Sequence, residues 1–196
     1  MAEIKSTMDL VMERAARMGK ASSEELQQEE ARKEGMRLAA DYLAGKLASL
    51  AAELETKDPA LQMIIRQGMI EGLMRNLSLP RDEIQKQRGD RAADGLVELS
   101  GGAGDIAAIC QEMGHILGQY NQHRDQLRTQ LEEQVRMQYE QLMGQQGAMP
   151  PGDMKLEATL QQKFQEEWAR IENELSGQYN QALEQHKTVL KQRLGV

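Results

Sequence analysis

Glu112-Met113-Gly114-His115 is the pattern in this chain that most resembles a site for chemistry. A carboxylate and an imidazole three residues apart stand one helical turn above each other, the spacing from which both reach one metal in di-iron carboxylate bundles. Such a site needs a second Glu-x-x-His and two further Glu on facing helices, and the chain has no second copy. The remaining donors near enough in a paired-helix register are Glu184 and His186. A metal or small-enzyme site would therefore draw on Glu112, His115, Glu184 and His186. Against it, the apolar stripe Ile109, Met113, Ile116 and Tyr120 turns His115 away from a partner helix and leaves Glu112 on its flank. An ordinary solvated pair is the plainer reading. No catalytic residue, cofactor or metal is assigned.

The other reactive groups read in the same direction. With 3 His and 1 Cys in the chain, no zinc set forms at known spacings. His123 is isolated, and His186 sits on an apolar stripe where a hydrogen-bonded neutral ring is the simpler expectation. Gly101-Gly102-Ala103-Gly104 before a helix could turn backbone N–H groups toward an anion. No strand precedes it, no Lys-Ser or Lys-Thr follows, and Asp105 would repel phosphate, so it reads as a joint. Cys110 lies beside Ile109 as a small buried thiol. No Ser or Thr has the setting of a nucleophile. The stripe of Ile4, Met8, Val11, Met12 and Met18 is a different kind of candidate: an amphipathic, Met-rich helix that closes the core or docks in a partner's groove.

Helices must position all of these. The chain is 40% hydrophobic but only 3% aromatic, with 13 Met. Strong helix formers dominate, and no window alternates as a half-buried strand does. The fold class is all-α: an N-terminal group of shorter helices in residues 1–100, and a long antiparallel helical hairpin in residues 105–194. The predicted N-terminal helices are 3–18, 23–55, 59–77 and 80–99. Gly19 to Ser23 separates the first two, with Ser22 and Glu25 as a capping box. Asp58-Pro59 and Leu79-Pro80 open the next two. Gly68 and Gly72, one turn apart, let another helix approach closely.

In the last segment the apolar positions Leu160, Phe164, Trp168, Ile171, Leu175, Tyr179, Ala182, His186 and Leu190 step by four, four, three. This 11-residue repeat is the coiled-coil form that favours straight or slightly right-handed supercoiling. Ile106, Ile109, Met113, Ile116, Tyr120, Leu127, Leu131, Val135 and Leu142 answer it. A reversal over 144–153 joins the arms and sets Val135 near Phe164, Leu131 near Trp168 and Met113 near His186.

Net charge is −7, with the acidic excess spread over both halves. No one-signed basic face offers itself to a phosphate backbone, so nucleic acid is not an expected partner. No run approaches a membrane span. Asp9, Glu13 and Arg14 interrupt any leader-like stretch, so the expected compartment is the cytoplasm.

Met1 to Ser6, Leu10-Val11-Met12-Glu13-Arg14 and Glu30-Ala31-Arg32-Lys33-Glu34-Gly35 resemble a family of bacterial all-helical proteins with no assigned activity. The likeness covers about the first quarter of the chain and implies no site residues. The expected function is a non-catalytic helical protein–protein interaction role: an adaptor, stalk or chaperone-like protein with protein partners, and with self-association left open. The alternative is a small α-helical metal-binding protein or enzyme with a site near Glu112 and His115.

Overall fold

Thr7–Leu43 forms a single helix, α1, in the computed structural model, where the sequence predicts a break at Gly19 to Ser23. The structure describes residues 7–145 and 154–196, with side chains at 8, 11, 12, 23–141 and 158–196. One interior glycine costs about 1 kcal/mol against alanine. That is too little to stop a helix whose next turns are Glu, Gln and Leu.

The break falls later, at 44–49. Gly45 takes φ of 78°; its N–H donates to Tyr42 O at 2.9 Å, and the Lys46 N–H donates to Asp41 O at 2.9 Å. This paired closure uses the left-handed conformation that glycine adopts without strain. Leu43, Leu47, Leu50 and Leu54 keep helical spacing across the break, which hides it from periodicity. Ser49 then caps α2 (Leu50–Glu55), its side chain accepting from Ala52 N at 3.1 Å. The carboxylate of Glu98 accepts from Ala51 N at 2.9 Å and from the Ser49 hydroxyl.

The chain doubles back through this segment. Lys57 Nζ bridges Glu34 and Glu53, each at 3.1 Å, so α3 (Gln62–Met74) starts beside the middle of α1 and runs parallel to it. Three glycines set the closeness of that pair. A β-carbon placed on Gly35 would overlap the Ile65 carbonyl oxygen, and one on Gly68 would overlap the Arg32 carbonyl oxygen. Gly72 lies over Ala39, 2.8 Å from where its own β-carbon would stand. The close approach expected at Gly68 and Gly72 is thus made by α1. Arg32 and Glu71 pair across the same interface.

Asp82 caps α4 (Glu83–Leu99), accepting from Gln85 N at 2.7 Å, while the Gln85 side chain accepts from Arg81 N at 3.0 Å. This reciprocal arrangement satisfies two orphan donors. Gly101 and Gly102, at φ of 70° and 75°, repeat the closure seen at Gly45 and hand the chain to α5 (Gly104–Gln145). The glycine run is a helix terminator.

Beneath these caps lies one apolar core. Leu38 and Ala39 of α1, Leu50 of α2, and Ile65, Met69, Ile70 and Leu73 of α3 are buried together. Ala92 and Leu96 of α4 close it from a further side. Arg91 stacks its guanidinium 4.8 Å from the Tyr42 ring centre and donates to Leu47 O at 3.2 Å, tying α4 to the break after α1.

Helices α5 and α6 (Met154–Leu194) lie antiparallel, because higher numbers on one meet lower numbers on the other: Glu112 with His186, Tyr120 with Tyr179, His123 with Tyr179. Ile106, Cys110, Met113 and Leu117 from α5, with Leu183, Leu190 and Leu194 from α6, enter the same core. The base of the hairpin is therefore embedded, and Leu183, absent from the predicted stripe, is fully buried there. There α6 enters a core shared with the other helices, so a stripe drawn for α5 alone misses it. His186 meets Glu112, one residue from the Met113 that the sequence pairs with it. Trp168 is partly exposed. The predicted reversal 144–153 falls mostly outside the described residues, as does the side chain of Leu142.

Candidate functional site: the hairpin and its base

Of the four candidate donors, the structure brings two together. His186 Nε2 lies 3.1 Å from Glu112 Oε2 while its Nδ1 lies 2.9 Å from Ala182 O. The Glu112 contact joins the two arms, while Ala182 lies one turn back on α6 itself. Glu184 points elsewhere and takes Lys187 Nζ at 2.7 Å. Two residues along a helix turn about 200°, which places Glu184 and His186 on opposite sides of α6. His115 is exposed. The expectation that all four come within reach of one another is thus corrected. Among the described residues, no group of three or more His, Cys, Asp and Glu is arranged to hold a metal ion.

Cys110 is buried. Desolvation, and then the nearby Asp94 carboxylate, push its thiol up to about 11. Alkylation requires the thiolate. At pH 8 the native thiol should react with iodoacetamide on the order of 100-fold more slowly than in the denatured chain, read by mass spectrometry of timed quenches. Equal rates would contradict the burial. The raised value also has a sign for stability. The proton is held more tightly in the folded state, so this contribution is complete below about 9 and lost as pH rises through about 11.

Above the base, the seam between the arms becomes polar. Tyr120 and Tyr179 stack edge to face, with ring centres 5.5 Å apart. Tyr120 Oη pairs with Ser176 Oγ at 3.1 Å and Tyr179 Oη with His123 Nδ1 at 2.6 Å. Arg124 donates to Pro80 O at 3.2 Å and to Arg81 O at 3.4 Å, tethering α5 to the α3–α4 loop.

Beyond that tether the arms cover one another incompletely. Leu131 and Leu160 are buried, but Val135, Tyr139, Leu160 and Phe164 line an open groove of about 450 Å³, rimmed by Glu132 and Arg136. Met137, two residues from both Val135 and Tyr139 and so on the opposite face of α5, is 59% exposed. Tyr139 escaped the sequence reading, although it follows Val135 at helical spacing. At the other end of the chain, Met8, Val11 and Met12 are exposed on α1. Ile4 lies outside the described residues, as does the side chain of Met18. Because α1 is continuous, this stripe is the first turns of a core helix and not a separate one.

Taken together, the fold defines an all-α protein in which a packed helical body carries a long two-helix arm. The chain belongs to a family of unknown function (DUF6657), whose model matches residues 51–192. That match spans α3, α4 and nearly the whole hairpin, and it begins after the N-terminal residues on which the resemblance rested. No curated protein and no solved structure matches the chain. No helix among the described residues is long and apolar enough to cross a membrane.

Proposed function

We propose that this chain is a non-catalytic helical interaction protein, an adaptor or chaperone-like stalk of the cytoplasm, that holds protein partners with the distal part of its hairpin. The observation that carries this reading is the open groove at Val135, Tyr139, Leu160 and Phe164. Two helices that leave apolar side chains uncovered gain free energy when a third apolar surface fills the gap, at roughly 25 cal/mol per Å² removed from water. A partner helix or extended segment with apolar residues at helical spacing suits that groove. Self-association through the same groove belongs to the same reading and is separated from it by light scattering.

The test is photo-crosslinking in host cells from a reactive residue placed at Arg136, an exposed residue on the groove's rim. A discrete protein adduct is expected that disappears when Phe164→Asp is added, with far-UV circular dichroism unchanged. Adducts that match those from the exposed control position Glu55, or that survive Phe164→Asp, would refute the reading.

A further inference from the structure

A second concave surface, separate from the apolar groove, lies where the α3–α4 loop meets the middle of the hairpin. Its volume is about 820 Å³, and its lining includes Arg75, Arg81, Arg88 and Arg124 against a single carboxylate, Glu172. The remaining polar lining includes Asn173, Ser176 and Asn180. In a chain of net charge −7, four guanidinium groups around one cleft are a strong local reversal of sign.

Among the described residues, only one surrounding acid, Asp125, pairs with any of them, and it pairs with Arg124. Glu71 is taken by Arg32, Glu184 by Lys187, and Asp82 caps α4. Asp125 lies 3.3 Å from Arg124. No hydrogen bond or ion pair to a described residue engages the side chains of Arg75, Arg81 or Arg88, which are exposed on the cleft wall. Arg124 is different. Its contacts with Pro80 O and Arg81 O, and its position over the Tyr120 ring at 5.9 Å, fix it in place. One arginine is pre-positioned and three are available.

We propose that this cleft binds a small phosphate-bearing anion. Guanidinium forks match the paired oxygens of phosphate and carry a charge that does not titrate away. Several of them around one cavity call for a ligand with at least two negative charges, which a phosphate ester or diphosphate supplies and a single carboxylate does not. Asn173, Asn180 and Ser176 offer neutral donors for the remaining oxygens or for the organic part. The volume lies within the range of small-molecule sites.

The test is isothermal titration calorimetry of inorganic pyrophosphate into the full chain at fixed ionic strength. Saturable one-to-one binding is expected, at least about tenfold weaker in the Arg81→Gln/Arg88→Gln double variant. Glu172→Gln should tighten it by removing the opposing charge. Both arginines are exposed and their side chains bond to no described residue, so the double variant should keep its melting temperature; Arg124 is left intact because it ties two elements together. Lys163→Gln, a basic change on the distant arm, should have no effect. The absence of saturable heat, or equal weakening by Lys163→Gln, would overturn the proposal. Equal affinity for citrate at matched charge would overturn the phosphate assignment. None of these outcomes bears on the apolar groove, so the two readings stand or fall separately.

Discussion

Gly68→Ala should lower the melting temperature by roughly 6–12 °C, the shift that about 3 kcal/mol produces in a domain of this size. The added β-carbon would overlap the Arg32 carbonyl oxygen. The obstacle is backbone, which no rotamer change can move aside, so α1 must lift away from α3. Overpacking a tight interior costs 1–3 kcal/mol even where side chains yield, and here it also loosens the contacts around Met69 and Leu73. The matched control is Gly177→Ala on α6, where nothing lies within 4 Å of the new atom. That change should stabilise by up to about 1 kcal/mol through helix propensity alone. Opposite signs for the same chemical substitution would establish the α1–α3 approach. Two shifts of the same sign and size would count against it.

Inserting one alanine after Ile171 is the second large effect. It turns everything beyond it by about 100°. Residues on one side of the insertion pair with the distal arm of α5. Those on the other side, Leu183, Leu190 and Leu194, lie in the body's core. Both sets cannot stay in place, and exposing one fully buried leucine alone costs about 2–5 kcal/mol. The expected outcome is a loss of cooperative melting or a fall in midpoint larger than that of Gly68→Ala, measured by circular dichroism. An unchanged melt would show that base and arm are not held in one register.

These two changes mark what was and was not legible in the residues. The all-α class followed from composition, and the hairpin arms from spacing, because the helical period of Leu and Ile is a direct imprint of one-sided burial. The close approach at Gly68 was legible because glycine on an apolar helix face has few other uses. Gly19 misled because a lone glycine is a weak stop. Gly45 was overlooked because leucines on either side kept the period through a real break. Leu183 was missed because the stripe was drawn for α5 alone, whereas the base of α6 enters the common core.

The four-residue cluster at Glu112, His115, Glu184 and His186 shows a different limit. Sequence spacing places residues along a helix but says little about where a side chain turns once a lysine or a carbonyl competes for it. The arginines of the cleft come from the C-cap of α3, the following loop, α4 and α5, up to 49 residues apart, and no linear pattern joins them.

The position of the single tryptophan has a practical consequence. Trp168 stands on α6 between Phe164, which borders the groove, and Tyr179, which meets His123. It is partly exposed and outside the core cluster that holds Met69 and Leu96, so its emission is an optical gauge of whether the two arms are closed. It is nearly blind to the body. Far-UV ellipticity sums over every helix. A fluorescence midpoint that precedes the ellipticity midpoint therefore signals fraying that begins at the tip, and should not be taken for an intermediate of the whole chain.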